Sequence, residues 1–309
     1  MYINTFQGYN CYSSALGEYA GNKNIIELQK LILTQWTYFF DREQFLNNQW
    51  YTGAADGPVD IILNKDIEQF LDMRIIEHKT AAKQAIDESI EITKNKGHQI
   101  VLIDFYYLNS FNWKSLGRFN VTREHDPHFI ILTNIDDDNA YIIDPYYHHE
   151  EIMKLEDFMA ARNSVTKQGK IYFNSYEIDY RHVKDVNIKE VLHYRFKRYL
   201  DEEMYLNIEK FAIEITKHLD YEERQWSFTG YNCLNSIIYQ HQNLMEIQEK
   251  FDISLPGNLE ELYNVWALIR KKLFEYFSRG NVAINDISCM LHKIAELEKK
   301  YVINCLKEL

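Results

Sequence analysis

Three residues have the types and chain order that thiol-based nucleophilic chemistry needs: Cys11, His128 and Asp144. Cys11 follows a Gly-Tyr-Asn turn and precedes a run of small residues, SSALGEYAG, that reads as the start of a helix. A thiol at a helix N-terminus meets the positive end of the helix dipole, which favours the thiolate. The amides of that first turn have no partner within the helix and could hold an oxyanion. A cysteine nucleophile also needs a base, and the base needs a group to orient it. His128 opens one apolar run, HFIILTNI, and Asp144 closes the next, AYIID. If the two runs pair as antiparallel strands, an early residue of the first lies beside a late residue of the second. Asp144 could then accept from one imidazole nitrogen while the other faces Cys11, which is the logic of a catalytic triad.

Other residues compete for these roles. His125 stands three before His128, with Pro127 between them arguing against a shared helix face. A metal site would combine His125, His128 and His148 or His149, but no ligand motif of recognised spacing occurs. The Asp136–Asp138 run lacks the further ligands and glycine of an EF-hand loop and reads as a solvated turn. Cys289 and Cys305 fall inside amphipathic helical patterns and read as packing residues. Cys233 belongs to an internal echo, Phe228-Thr229-Gly230-Tyr231-Asn232-Cys233 against Phe6-Gln7-Gly8-Tyr9-Asn10-Cys11, with a serine three after each cysteine. The echo is coincidence or shared loop-to-helix chemistry, or else a pair of related elements facing one site.

The elements that must position these residues divide the chain in two. The first part is mixed. It has helical patterns over 11–19 and 25–45 and loop chemistry over 50–57. A charged helical region covers 66–95 and ends at Gly97. A continuous apolar run, IVLIDFYY (100–107), suits a buried strand. The hairpin of 128–135 and 140–144 turns at DDDN, and a further strand is expected over 170–178. From about Asn187 apolar residues recur at helical spacing to the end. The expected architecture is α+β, with a mixed domain over 1–180 and an all-helical domain over 187–309.

Composition narrows the function classes. The 309 residues carry a net charge of −12, which argues against nucleic acid and against an anionic membrane surface. The four cysteines show no CxxC spacing and no disulfide framework. No basic and apolar leader opens the chain, and no apolar run approaches the ~18–20 residues of a membrane span. The expectation is a cytoplasmic, soluble protein without a metal or bound cofactor.

Asn10-Cys11, IVLIDFYYL at 100–108, and HFIILTNIDDDNAYIIDPYY at 128–147 together resemble the papain-like (cysteine-peptidase-like) superfamily. Within it, the closest similarity is to the butirosin-biosynthesis protein H family. The bacteriocin-processing peptidase domains of transporters share the His-strand-turn-strand-Asp-Pro pattern. Asp104, Tyr107 and Leu108 match the family's strand with Asp followed by Tyr-Leu. The resemblance covers roughly residues 1–175 and implies a papain-like fold. It also implies an acyltransferase of natural-product (antibiotic) biosynthesis, which moves an acyl group from a carrier-protein thioester to an amine. Phosphopantetheine would then belong to the partner carrier. The family's oxyanion glutamine lies six residues before the nucleophile; here Gln7 lies four before Cys11, and the Asn10 side chain is the alternative donor. Tyr12, where the family often has a small residue, is expected to narrow or rearrange the entrance.

Three readings follow. Cys11, His128 and Asp144 perform acyl transfer, with Trp113, Tyr146 and Tyr147 as candidate walls of a dry cleft. Alternatively, the same triad serves a peptidase, amidase or thioester hydrolase. Or the scaffold binds a partner without catalysis. Carrier proteins are usually acidic, so docking would need a basic face, for which Arg195-Phe196-Lys197-Arg198 and Arg270-Lys271-Lys272 are the candidates.

Overall fold

Two apolar runs separated by four polar residues pair as a hairpin because the polar turn lets their backbones bond and their neighbouring side chains share one apolar face. In the computed structural model, which describes residues 3, 5–55, 57, 59–119, 121–217, 224–280 and 282–309, these runs are strands Pro127–Ile135 and Asn139–Asp144. Ile131 stands opposite Ile143 and Leu132 opposite Ile142, with a bulge between Leu132 and Asn134. Asp136 Oδ1 accepts from the backbone N–H of Asp138 and of Asn139, which closes the turn.

The hairpin belongs to a six-stranded antiparallel sheet. Along the chain its strands are β1 (Arg74–His78), β2 (Gln99–Asp104), β3 (Pro127–Ile135), β4 (Asn139–Asp144), β5 (His149–Lys154) and β6 (Ser175–Asp179). Their spatial order is β1-β6-β2-β3-β4-β5. Helix α1 (Cys11–Asn22) packs on β3, where the Tyr12 ring lies 4.8 Å from Phe129. A second core joins Val101, Ile103, Ile130, Leu132 and Ile142 to Phe158, with Ile86 and Ile90 of α2 (Ala82–Lys96) and Leu155 of α3 (Leu155–Ala161) against it. Helices thus cover both faces of β2 and β3, which is why both read as continuous apolar runs.

Several expectations need correction. The helical region over 66–95 is interrupted. A helix over Ile61–Leu71 ends at Asp72, whose φ is 58°, and Ile75 and Ile76 then enter edge strand β1 against β6 before α2 begins. β2 stops at Asp104, because its Oδ1 accepts from Tyr106 N–H and winds Phe105–Tyr107 into a 3₁₀ turn. Strand β5 was not expected at all; its charged sequence HEEIMK pairs along β4 as a partly exposed sheet edge. Of the strand expected over 170–178, the last residues lie in Ser175–Asp179, while Lys170 belongs to a separate two-residue strand, Gly169–Lys170, paired with Val165–Thr166. The helix expected over 25–45 covers only Ile26–Leu33, followed by a two-residue strand, Phe39–Phe40, and a short helix, Arg42–Leu46.

The chain forms two compact units, residues 1–29 with 64–184 and residues 30–63 with 185–309. The first holds the sheet. The second is built on six helices, α4 (Ile188–Asp201), α5 (Met204–Thr216), α6 (Gln225–Cys233), α7 (Asn235–Lys250), α8 (Leu259–Arg279) and α9 (Ile284–Glu308). His218 and Leu219 of the expected helical stretch lie outside the described residues. The expected division at 1–180 and 187–309 therefore misplaces 30–63. Aromatic burial explains this. Trp36 is fully buried against Phe196, Tyr199 and His241, and Thr37 N–H donates to Gln240 Oε1. At the centre of this unit the buried Glu298 accepts from Tyr199 Oη at 2.7 Å and from Trp266 Nε1 at 2.5 Å. Among the described residues, no helix is long and apolar enough to cross a membrane.

Arg195 does not belong to a basic face. It is fully buried, and its Nη1 donates to the Leu31 carbonyl at 2.6 Å and to Thr34 Oγ1 at 2.8 Å. Arg270 is also engaged, stacked over Tyr231 with Nε donating to the Tyr231 carbonyl. Arg195→Ala should lower the stability of the helical unit by about 3 kcal/mol, since it leaves a cavity and unsatisfied acceptors. A urea titration of the full chain measures this, and an unchanged midpoint would contradict the structural role.

Candidate active site

The nucleophile candidate is set by a tight loop before α1. Asn10 caps the helix: its Oδ1 accepts from Ser13 N–H at 2.8 Å, while Ser13 Oγ accepts from Asn10 N–H at 3.0 Å. Cys11 is therefore the first helical residue, half-buried. Gly8 lies against the next turn, and its N–H donates to Ser14 Oγ. A Cβ on Gly8 would sit 2.4 Å from Ser13 Oγ and 2.5 Å from the Ser14 nitrogen, so only glycine fits this approach. Upstream, the Phe6 ring fills the space a Cβ on Gly17 would need, and Phe6 N–H donates to Glu18 Oε2. The small residues after Cys11 thus admit the returning chain.

The same N-terminal segment is tied to the turn that follows Asp144. Ile3 N–H donates to the His148 carbonyl, and Thr5 Oγ1 donates to the Pro145 carbonyl and lies 2.8 Å from His148 Nδ1. Cysteine loop and aspartate turn are thereby held in one frame.

His128 Nε2 lies 3.0 Å from Asp144 Oδ2, the neighbours that hairpin pairing requires, and both residues are buried. The other carboxylate oxygen, Oδ1, accepts from Tyr147 N–H, which fixes Asp144 from both sides. Burial alone would lower the pKa of the His128 imidazole. The Asp144 carboxylate and the Cys11 sulfur, both hydrogen-bonding partners of the ring, more than reverse this and raise it to about 10. With Nε2 given to Asp144, Nδ1 is the nitrogen left for Cys11. Phe105 packs 4.8 Å from the imidazole, Tyr147 5.7 Å and Tyr146 6.4 Å. Trp113 stands one ring further out, against Phe105 and Phe111.

The structure treats the remaining candidates differently. Gln7 Nε2 donates to the Gly8 carbonyl at 2.9 Å, and the Asn10 side-chain oxygen is the helix cap. The Cys11 backbone N–H, at the first helical position, is the donor that helix geometry leaves without an intrahelical acceptor. Tyr12 does not narrow an entrance. It is fully buried between Phe129 and Tyr176, and its hydroxyl donates to Asn64. The 228–233 echo is helix α6 in the other unit rather than a loop before a helix, and Cys233 is buried there. His125 is not a spare for His128 but has its own carboxylate, with Nδ1 2.6 Å from Asp104 Oδ2. Sequence reasoning missed that pair; the signal was Asp104, noted only as a strand residue. Asp126, between the two histidines, has its carboxyl pKa raised to about 6, chiefly by burial, with Lys167 opposing.

His148 and His149 turn to Thr5 and Glu151. Among the described residues, no group of three or more His, Cys, Asp or Glu is placed to hold a metal ion. A groove of about 980 Å³ lined by Ile86, Asp137, Asp138, Leu155 and Met159 lies at the turn end of the hairpin, opposite the His128–Asp144 end. Compared with known proteins, the chain matches no family model and no curated sequence significantly.

Two outcomes test this geometry. Gly8→Ala should destabilise the sheet-bearing unit by about 2 kcal/mol through overpacking, read as a lower urea midpoint. The pH test uses the raised pKa of His128. Its stabilising contribution is complete below the ~6.5 of a free imidazole and is lost as pH rises through about 10. The stability advantage of wild type over His128→Gln should therefore shrink between those values, and a flat difference would show the ring to be uncoupled from its partners.

Proposed function

We propose that the sheet-bearing unit is a papain-like catalytic domain. In this reading Cys11 is the nucleophile, His128 the base and Asp144 the residue that orients the base, and the reaction is acyl transfer from a carrier-protein thioester to an amine. The observation that carries the reading is His128 held between Asp144 and Cys11, with Cys11 at the first position of α1.

The chemistry follows from that placement. Cys11 Sγ attacks the thioester carbonyl with its proton already held on His128 Nδ1. The negative oxygen of the tetrahedral intermediate faces the Cys11 N–H and the positive end of α1. The C–S bond to the carrier arm breaks, and its thiolate leaves with the proton from His128. An amine then attacks the acyl-cysteine, an N–C bond forms, the neutral His128 takes a proton from that nitrogen, and the bond to Cys11 breaks, which restores the starting pair. Asp144 keeps the ring oriented and balances the imidazolium throughout. Phe105, Tyr146 and Tyr147 around His128 restrict water, which favours aminolysis over hydrolysis. An acidic carrier would meet exposed cations, and of the two basic runs Lys197 and Lys271 remain exposed.

Intact-protein mass spectrometry after incubation with an acyl-pantetheine thioester tests the proposal. Wild type should gain one acyl group and Cys11→Ala none, with faster discharge by an alkylamine than by buffer. Equal discharge by buffer would assign a hydrolase. No adduct, with Cys11 alkylated no faster than the exposed Cys289, would remove the nucleophile assignment.

A further inference from the structure

The proposed acyl transfer has a proton balance that one histidine does not meet. An alkylamine enters as an ammonium ion at neutral pH, since its ordinary pKa is about 10. It must lose one proton before its nitrogen can attack and a second after the N–C bond forms. The second is taken by His128 as the C–S bond breaks. The first must leave the site altogether. His128 cannot export it, because Nε2 is bound to Asp144, Nδ1 serves Cys11, and the ring is buried.

We propose that His125, oriented by Asp104, is a second base that takes this first proton from the acceptor ammonium and passes it to solvent. This rests on the acyl-transfer reading. His125 Nδ1 is 2.6 Å from Asp104 Oδ2, Asp104 is fully buried, and its other oxygen is held by Tyr106 N–H. The imidazole stacks flat on Tyr106, with centroids 4.3 Å apart and planes 13° from parallel. With Nδ1 engaged by the carboxylate, Nε2 is the nitrogen left for a further partner. The His125 side chain is 47% exposed, against 8% for His128, so His125 is the one of the two that exchanges protons with water.

Both histidines lie at one end of the sheet. Asp104 stands opposite Pro127, and Ile103 opposite His128. Two residues, Asp126 and Pro127, lie between them, so the two Cα atoms are at most about 11 Å apart. Asp126, between them, acts electrostatically on both His128 and Asp104. The charged groups around His125 are Asp104, Glu124, Asp126, Lys167, which pairs with Glu124, and Arg123, which is turned to the Tyr106 carbonyl and Asn109. Three carboxylates against two engaged cations suit an ammonium ligand better than an anionic one.

The test separates the two half-reactions on the full chain. Wild type, His125→Gln and His125→Ala are loaded with an acyl-pantetheine thioester and chased with a primary alkylamine, and the acyl adduct is followed by intact mass. Loading of Cys11 should stay within about twofold of wild type, while discharge by amine at pH 7 should slow about 100-fold. The deficit should narrow towards pH 10, where about half of the amine is already unprotonated, and added imidazole should restore discharge in His125→Ala. Discharge at the wild-type rate in His125→Ala would overturn the assignment. So would a parallel loss of loading and discharge that imidazole does not rescue, since that marks a structural role. A wild type that never acquires an acyl group would sink the acyl-transfer reading itself, and this inference with it.

Discussion

An imidazole and a carboxylate buried together are the constraint around which the sheet-bearing unit is arranged. Neither His128 nor Asp144 could be charged alone in that interior, because desolvation of an isolated ion costs several kcal/mol. Each is tolerable because the other lies 3.0 Å away, and that distance exists only if β3 and β4 pair in the observed register. A slip of one residue would turn one of the two side chains to the opposite face of its strand and leave the other unpaired in the interior. The polar turn at Asp136–Asn139 and the apolar ladder from Ile131 to Ile143 therefore position the site as well as forming the hairpin.

Cys11 is brought to this pair by a second set of constraints. α1 lies flat on β3 through Tyr12 and Phe129, and its first turn is fixed by the Asn10–Ser13 capping box. Gly8 and Gly17 allow the incoming chain to lie against the helix, and Thr5 and Ile3 bond it to the turn after Asp144. Cys11 is thus located by helix capping, by small-residue packing and by a strap to the aspartate turn. All three lie within the sheet-bearing unit.

Much of this was legible in the sequence because it rests on local rules. The Asn10 cap before a small-residue helix, the alternation of apolar runs and polar turn, and the Gly97 stop of α2 are nearest-neighbour signals. What escaped was set by distant partners. Ile75 and Ile76 sit in a charged helical pattern yet join β1, because β6 offers them a sheet edge. HEEIMK has a charged edge-strand sequence that only the ladder to β4 makes regular. Arg195 reads as part of a basic run, yet its guanidinium is sequestered by the Leu31 carbonyl and Thr34, 161 or more residues away. Residues 30–63 fall before the mixed sheet in the chain but follow their aromatic side chains into the helical unit.

By itself the sequence determined the α+β character, the hairpin, the helix that begins at Cys11, and therefore the proximity of His128 to Asp144, because backbone periodicity and capping act over a few residues. Tertiary structure alone decided that Cys11 meets His128, that Tyr12 is a core residue, and that His125 has a carboxylate of its own in Asp104. It also decided that the second Tyr-Asn-Cys segment is an ordinary buried helix. Those outcomes depend on which side chains share a desolvated space, and burial is a property of the packed chain.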